Sequence, residues 1–336
     1  MARRERTTAL PRQRPRTTRP AARTLFLTTE ETLRLLILGG AGLLLAIVLA
    51  LIGWRWYDQT FRTPEKVILQ VGDERFQLRY YADRLFPYAQ SVASSGINLG
   101  IAEQQLVAIL EEEAIVNTIA RERGITVTPE EITQEIASQL GVPAGGAGTA
   151  FDNLYRQRLQ SLTMSDAHYR RQVEAQLYRK KLKDSILTDL GQTTEMVTLR
   201  TIITTTEDEA KAALARIQAG EDMGTVAQVT SKDLNSRQQD GIMDPEPPAL
   251  LPEAVRNAIQ DKPAGADLIG PVQIATGDWW LLRIEKRDPN ATPSETQKSQ
   301  LADREIQRLV NEKRSQLTIR RNLTADDIKW AEEHAN

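Results

Sequence analysis

Residues 197–209 read Val-Thr-Leu-Arg-Thr-Ile-Ile-Thr-Thr-Thr-Glu-Asp-Glu, and they decide the fold of the C-terminal half. The first seven are dominated by β-branched and apolar residues, the composition of a strand. Thr206 to Glu209 is a capping box: a hydroxyl takes a free N–H of the first helical turn, and the Glu reaches back to the cap. A strand passing straight into a capped helix opens an α/β unit. The helix carries Ala210, Ala213, Leu214 and Ile217 on its inner side and stops at Gly220. A short helix over 223–229 follows, then a polar, Pro-rich loop over 231–252 and a helix over 253–259. Gly270-Pro271-Val272 leads into a final strand pair that ends in Trp279-Trp280-Leu281-Leu282-Arg283-Ile284. Residues 195–288 therefore predict a compact unit of strand, helices, strand, strand.

Upstream the texture is helical. Val67-Ile68-Leu69-Gln70-Val71 is a short strand, Gly72 to Arg75 a turn, and Phe76-Gln77-Leu78 the start of a return. Leu106, Ile109, Leu110, Val116, Ile119 and Ala120 form one apolar arc at helical period, closed by Gly124. Thr128-Pro129-Glu130-Glu131 restarts a helix, with Thr as cap, Pro at the first helical position and Glu completing the box. A Gly/Ala/Pro segment over 141–150 lacks Gly-Lys-Ser/Thr, so it reads as a connection and not a phosphate cradle. Ser165 caps a long helix from 166 to about 187. Downstream of Pro293 a charged helix runs to about Leu317, and Thr324 caps a last short one.

The N-terminus differs from all of this. Residues 1–34 hold nine arginines and three acids, a charge of +6, whereas the remaining 34 basic and 42 acidic residues sum to −8. From Leu35 to Trp54 no residue is charged, and twenty helical residues at about 1.5 Å each cover the roughly 30 Å of a bilayer's hydrocarbon. Arginines before the span and Trp54, Trp56 and Tyr57 after it give a positive-inside end and an interfacial belt. The run is too long for a cleaved signal and flows into Gly53-Trp54-Arg55-Trp56, a poor cleavage site. Residues 34–54 are therefore expected to be a transmembrane signal anchor contacting the lipid bilayer. Residues 1–33 would be a basic, disordered cytoplasmic segment, and the region beyond extracytoplasmic.

Composition excludes several chemistries. The acidic soluble part argues against nucleic acid as a partner. There is no cysteine, so disulfides and thiolate catalysis are out. His168 and His334, the two histidines, have no ligand spacing, and neither a metal nor a cofactor is expected.

The order of these segments resembles the extracytoplasmic foldases of the SurA and PrsA type, over residues 65–330. Val71-Gly72-Asp73-Glu74 is similar to the turn that opens their chaperone domain, and Arg123 to Glu131 to its helix–Gly–Ile–Thr–Val–helix junction. Leu199 to Ile203 resembles the first strand of a parvulin-type (PpiC-like) peptidyl-prolyl isomerase. Ser231-Lys232-Asp233 resembles its Ser-x-Asp, Asp240-Gly241 its Gly-Gly pair, Leu250 to Ala254 its Met-Val-Pro-Glu-Phe, and Gly270-Pro271-Val272 matches outright. The resemblance implies an α+β protein: one transmembrane helix, a mainly helical SurA-N-like chaperone domain over 65–190, and a parvulin-like domain over 195–288 with a small antiparallel sheet. Helices of 294–336 would pack on the chaperone domain.

It also implies a site, from which the sequence departs. Thr201 stands at the first of two histidine positions, and Trp279 or Trp280, according to register, at the second. Asp233 keeps the catalytic Asp or Cys position, although a surface carboxylate is an equal reading of it. Met243, Leu250 and Ala254 stand where proline is gripped, Ala254 in place of a ring. Isomerisation breaks no bond; its barrier of about 18–20 kcal/mol is lost amide resonance, so an enzyme must grip proline and prefer the twisted amide. A chaperone needs only clefts that hold unfolded or newly exported polypeptides. The expectation is a membrane-anchored foldase or chaperone with a parvulin-like domain of doubtful competence. Two alternatives stay open: an active isomerase with an atypical site, and an envelope scaffold with one native partner.

Overall fold

The computed structural model describes residues 29–334 apart from residue 266. The described chain parts into two compact units between Arg62 and Thr63. The segment 1–28, which carries most of the basic tail expected to be disordered, lies outside the described residues.

The first unit is α1 (Thr29–Tyr57), which continues as one π-helical turn, Asp58–Arg62. Within its stretch Leu38–Arg62 an 18-residue window has a mean hydropathy of 1.9, and by length and composition the helix could cross a bilayer. At its end the Trp56 and Tyr57 rings lie 5.7 and 5.5 Å from that of Phe61. All three are exposed, as interfacial aromatics are.

The second unit begins with the hairpin β1 (Val67–Val71) and β2 (Glu74–Gln77), joined by Gly72 and Asp73. The turn is thus two residues, tighter than the four expected, because Gly72 adopts a φ of +57°. Five helices follow: α2 (Leu78–Ala93), α3 (Leu99–Glu122), α4 (Pro129–Leu140), α5 (Ala150–Leu162) and α6 (Asp166–Leu190). The α4 capping box forms as its sequence dictates: Thr128 Oγ1 accepts the Glu131 N–H at 3.3 Å, and Glu131 accepts that of Thr128 at 2.8 Å. Helix α5 is a finding, since the sequence reading left 150–162 without an element. Its stripe of Phe151, Tyr155, Leu159 and Leu162 is short and diluted by polar residues, so it needs α4 and α6 to cover it.

Then come β3 (Thr194–Thr204), α7 (Glu207–Gln218), α8 (Met223–Thr230) and the single turn α9 (Leu234–Arg237). After a 3-10 turn at Pro248–Leu250 come α10 (Glu253–Ile259), β4 (Ile269–Gln273) and β5 (Trp279–Ala291). The strands form an antiparallel sheet of order β3-β5-β4. Bridges from Val197 to Glu246 and from Arg200 to Ile242 lay the 242–246 segment along the free edge of β3. One sheet face packs on α7 and α8 through Ile202, Ala213, Val226 and Leu281. The other packs on α10 through Leu199, Leu251, Val255, Trp280 and Leu282.

The chain ends with α11 (Glu295–Gln316), β6 (Ile319–Arg321) and α12 (Ala325–His334). Strand β6 completes a first sheet of order β2-β1-β6, so residues some 250 apart in sequence share one sheet. The main helical core is likewise built from both directions. Leu69, Tyr81, Leu110 and Leu182 meet Ala302, Ile306, Val310 and Trp330. Charges close the joint. Buried Glu111 accepts from Arg314 Nε at 3.0 Å and from Arg321 Nε at 2.9 Å. Lys66 Nζ donates to Asp327 of α12 at 2.7 and 2.6 Å.

Candidate functional site

The residues expected to form a prolyl-isomerase site gather around β3 and β5. Thr201 sits mid-strand, fully buried, with Leu282 opposite it. Its N–H donates to the Gly241 carbonyl at 2.7 Å, and its hydroxyl reaches the same oxygen only at 3.5 Å, the outer limit of a hydrogen bond. Gly241 is required there. At its φ of +79°, a Cβ would come within 2.7 Å of the Thr201 carbonyl and 2.8 Å of Ala227. Asp240 before it also takes a positive φ, +54°, which Asp tolerates better than most residues. Its carbonyl accepts from Arg200 at 2.6 Å.

The register of β5 separates the two tryptophans. Trp280 lies opposite Ile203, Trp279 opposite Thr204. Strand side chains alternate, so Trp280 shares the face of Thr201, and Trp279 projects to the other. Trp280 is buried among the residues that pack on α10. Its indole Nε1–H is sealed from solvent and has no acceptor among the described residues. A buried donor left unpaired costs about 1–3 kcal/mol. Indole donates and cannot accept, so this face lacks the two-way hydrogen bonding of a histidine pair. Gly270, at φ +114°, lets β4 approach: a Cβ would lie 2.5 Å from the Trp280 carbonyl.

Asp233 stands where the chain leaves the far end of β3. Lys232 N–H donates to the Ile203 carbonyl at 2.8 Å, and the Ser231 hydroxyl accepts the Ile203 N–H at 3.1 Å. The Asp233 carboxylate caps α9, with Oδ2 accepting from the Ser236 N–H at 3.0 Å and from the Ser236 hydroxyl. It is half-buried, and its other oxygen is unused among the described residues. Further back along the sheet, beside Arg200, burial pushes Glu285 up, but hydrogen bonds from Arg200 and Arg283 outweigh it and hold the carboxyl below its usual range.

Met243, Leu250 and Ala254 are all half-buried. Met243 packs on the Trp280 side of the sheet, held by its N–H to the Leu199 carbonyl at 2.8 Å. Leu250 closes the 3-10 turn and Ala254 lies in the first turn of α10, while their neighbours Leu251 and Val255 fill the core. The sequence reading did not foresee what holds this segment. Arg304 of α11 donates to the carbonyls of Ala249 and Leu251, the latter at 3.4 Å. Gln297 donates to the Pro245 carbonyl at 2.9 Å. These are side chain to backbone contacts, which leave no pattern in the residues they grip.

Residues 37–183 match the model of the SurA-like N-terminal domain, and residues 188–298 that of the PPIC-type PPIase domain. No curated protein matches the chain. Among solved structures, the peptidylprolyl isomerase PrsA of Bacillus anthracis is 16% identical, over 67% of this chain and 93% of its own, with a TM-score of 0.40. PrsA of Bacillus cereus is 15% identical, over 81% and 99%, also at 0.40. The parvulin domain of PpiD from E. coli is 29% identical, over 30% and 93%, at 0.26. By these two matches, the chain carries a SurA-like N-terminal domain followed by a PPIC-type peptidyl-prolyl isomerase domain.

Proposed function

We propose that this protein is a membrane-anchored extracytoplasmic foldase that holds unfolded, newly exported polypeptides, and that its isomerase domain turns proline slowly or not at all. In this reading residues 34–54 anchor the chain with its N-terminus in the cytoplasm. Residues 65–190 and 294–336 make the client-holding domain, and 195–288 the isomerase domain.

The observation that carries the catalytic half is Trp280. It occupies the Thr201 face with a sealed, unpaired N–H. Each factor of ten in rate needs about 1.4 kcal/mol of preference for the twisted amide. A site without the histidine pair, with one fully buried threonine hydroxyl and with Asp233 engaged as a cap, has few groups to supply it. The second reading, an active isomerase with an atypical site, is favoured by the half-exposed Met243 and Leu250, which keep an apolar wall for proline.

A proline-limited refolding assay separates the two, since the uncatalysed step takes tens of seconds or longer. The full chain in detergent is expected to suppress aggregation of an unfolded client and to leave the slow refolding phase within a few-fold of its uncatalysed rate. Acceleration like that of ordinary parvulins would establish the second reading. Loss of client protection would remove the first. Ala254→Phe should raise any residual activity by restoring a ring to the proline wall, or else overpack and lower the melting temperature.

A further inference from the structure

A second concave site lies in the helical domain, among α2, α4, α5 and α6. It is a cavity of about 410 Å³, within the roughly 300–1,000 Å³ of ordinary ligand pockets. Its lining is unusual in being rich in primary amides: Gln90 from α2, Gln139 from α4, and Gln172 and Gln176 from α6. Leu162, Val173 and Pro87 supply apolar surface. No carboxylate lines it. Of its two guanidinium groups, that of Arg84 is already committed to Glu113, at 2.8 and 3.1 Å, and to the Tyr80 hydroxyl at 2.8 Å.

The amides are unevenly used. Gln139 accepts from the Tyr169 hydroxyl at 3.2 Å and donates to Glu135 at 3.2 Å and to Gln176 at 3.4 Å. Gln90 and Gln172, on different helices, have no hydrogen-bond partner among the described residues. A glutamine amide presents a carbonyl acceptor and N–H donors, the complement of a peptide unit. A cation finds no carboxylate here, and the one cationic group uncommitted among the described residues, Arg158, stands exposed to solvent at the cavity's edge on α5. A folded ligand surface has its backbone already paired, whereas an unfolded segment offers free N–H and C=O groups.

We propose that this cavity binds an extended stretch of client polypeptide through its backbone, with Gln90 of α2 and Gln172 of α6 as the pairing groups and Leu162 and Val173 as apolar lining. The inference rests on the foldase reading and adds to it a place and a chemistry. Recognition of the one feature shared by all unfolded chains makes binding indifferent to client sequence.

Fluorescence anisotropy with the full chain in nanodiscs tests this, using uncharged unfolded peptides of one composition in several shuffled orders. Gln172→Leu should weaken all of them alike by about tenfold, near 1.4 kcal/mol or one to two net hydrogen bonds. Gln90→Leu, at an exposed position, should act in the same direction without disturbing the fold. N-methylating the central peptide amides should cost the native chain a similar factor, cost Gln172→Leu less, and cost the double variant Gln90→Leu/Gln172→Leu nothing further. If peptides bind and clients are protected, yet neither variant nor N-methylation changes affinity, the cavity is not the site and the foldase reading survives. A loss confined to some of the shuffled sequences would mean side-chain recognition and would overturn the backbone mechanism. If no peptide binds at all, both the inference and the foldase reading fall.

Discussion

At the scale of single residues, the candidate site was partly legible. The identities of Thr201, Asp233 and Ala254 stand in the sequence, but what each side chain does there does not. Register chose between Trp279 and Trp280, and register is set by pairing with a strand 75 residues away. Asp233 shows how one residue type serves two purposes. As the α9 cap it should contribute about 1 kcal/mol, so Asp233→Ala should lower stability by roughly 0.5–2 kcal/mol and Asp233→Asn by less. If the domain has isomerase activity, loss of that activity in Asp233→Asn, with stability kept, would give the carboxylate a chemical role; unchanged turnover would leave it a cap. Asp327 gives a pH signature. Burial raises its carboxyl, but hydrogen bonds from Lys66 and Thr324 outweigh that and hold it below the usual range. A depressed folded value stabilises above the unfolded value of roughly 3.9, and the gain is lost as pH falls through the folded one. Lys66→Met should therefore cost about 1–3 kcal/mol near neutrality. The lower end is expected because the Lys66 side chain is 41% exposed and screened. Denaturant melts of the two proteins should converge as pH falls through the depressed folded value of Asp327.

At the scale of elements, the capped helices were the easiest to read. Thr128, Ser165, Thr206 and Thr324 each accept the backbone N–H three residues on, at 3.2–3.3 Å. Local chemistry fixes such ends. Elements that exist through tertiary contact were the ones missed: α5, and above all β6, three residues whose strand character comes from lying beside β1. Helix α11 was expected to need cover, and Ile306 and Val310 find it in the helical core with no exposure. Ile306→Ala should cost about 2–5 kcal/mol in the helical domain, measured as a lowered denaturation midpoint. Deleting 295–336 should go further, melting that domain. It should also speed amide exchange in 242–250, which Gln297 and Arg304 hold, while the β3–β5 ladder keeps its protection.

At the scale of the whole molecule, the apolar span and the two domain types stand in local sequence, whereas the interleaving of the segments entered through the family resemblance. Hydropathy and charge are local sums, so the candidate span is readable directly; that 294–336 joins the helical core was expected from the resemblance and from the apolar stripe of α11, but no local pattern names the residues it meets. The arginine excess before Leu35 predicts that protease added to intact cells, or to spheroplasts where there is an outer membrane, digests the region beyond Arg55. Full protection of that region with sealed membranes would reverse the topology.

The sharing of one sheet by β1 and β6 sets an order on events as the chain emerges. An exported polypeptide appears N-terminus first, and the helical domain then lacks a strand, two helices and part of its core until the last forty or so residues arrive. The isomerase sheet, whose strands all lie between residues 194 and 291, has its pairing partners earlier. The domain begun first is thus finished last, and a chain cut short in synthesis or trimmed at its end carries no completed helical domain, which ties whatever that domain does to the arrival of residues 295–336.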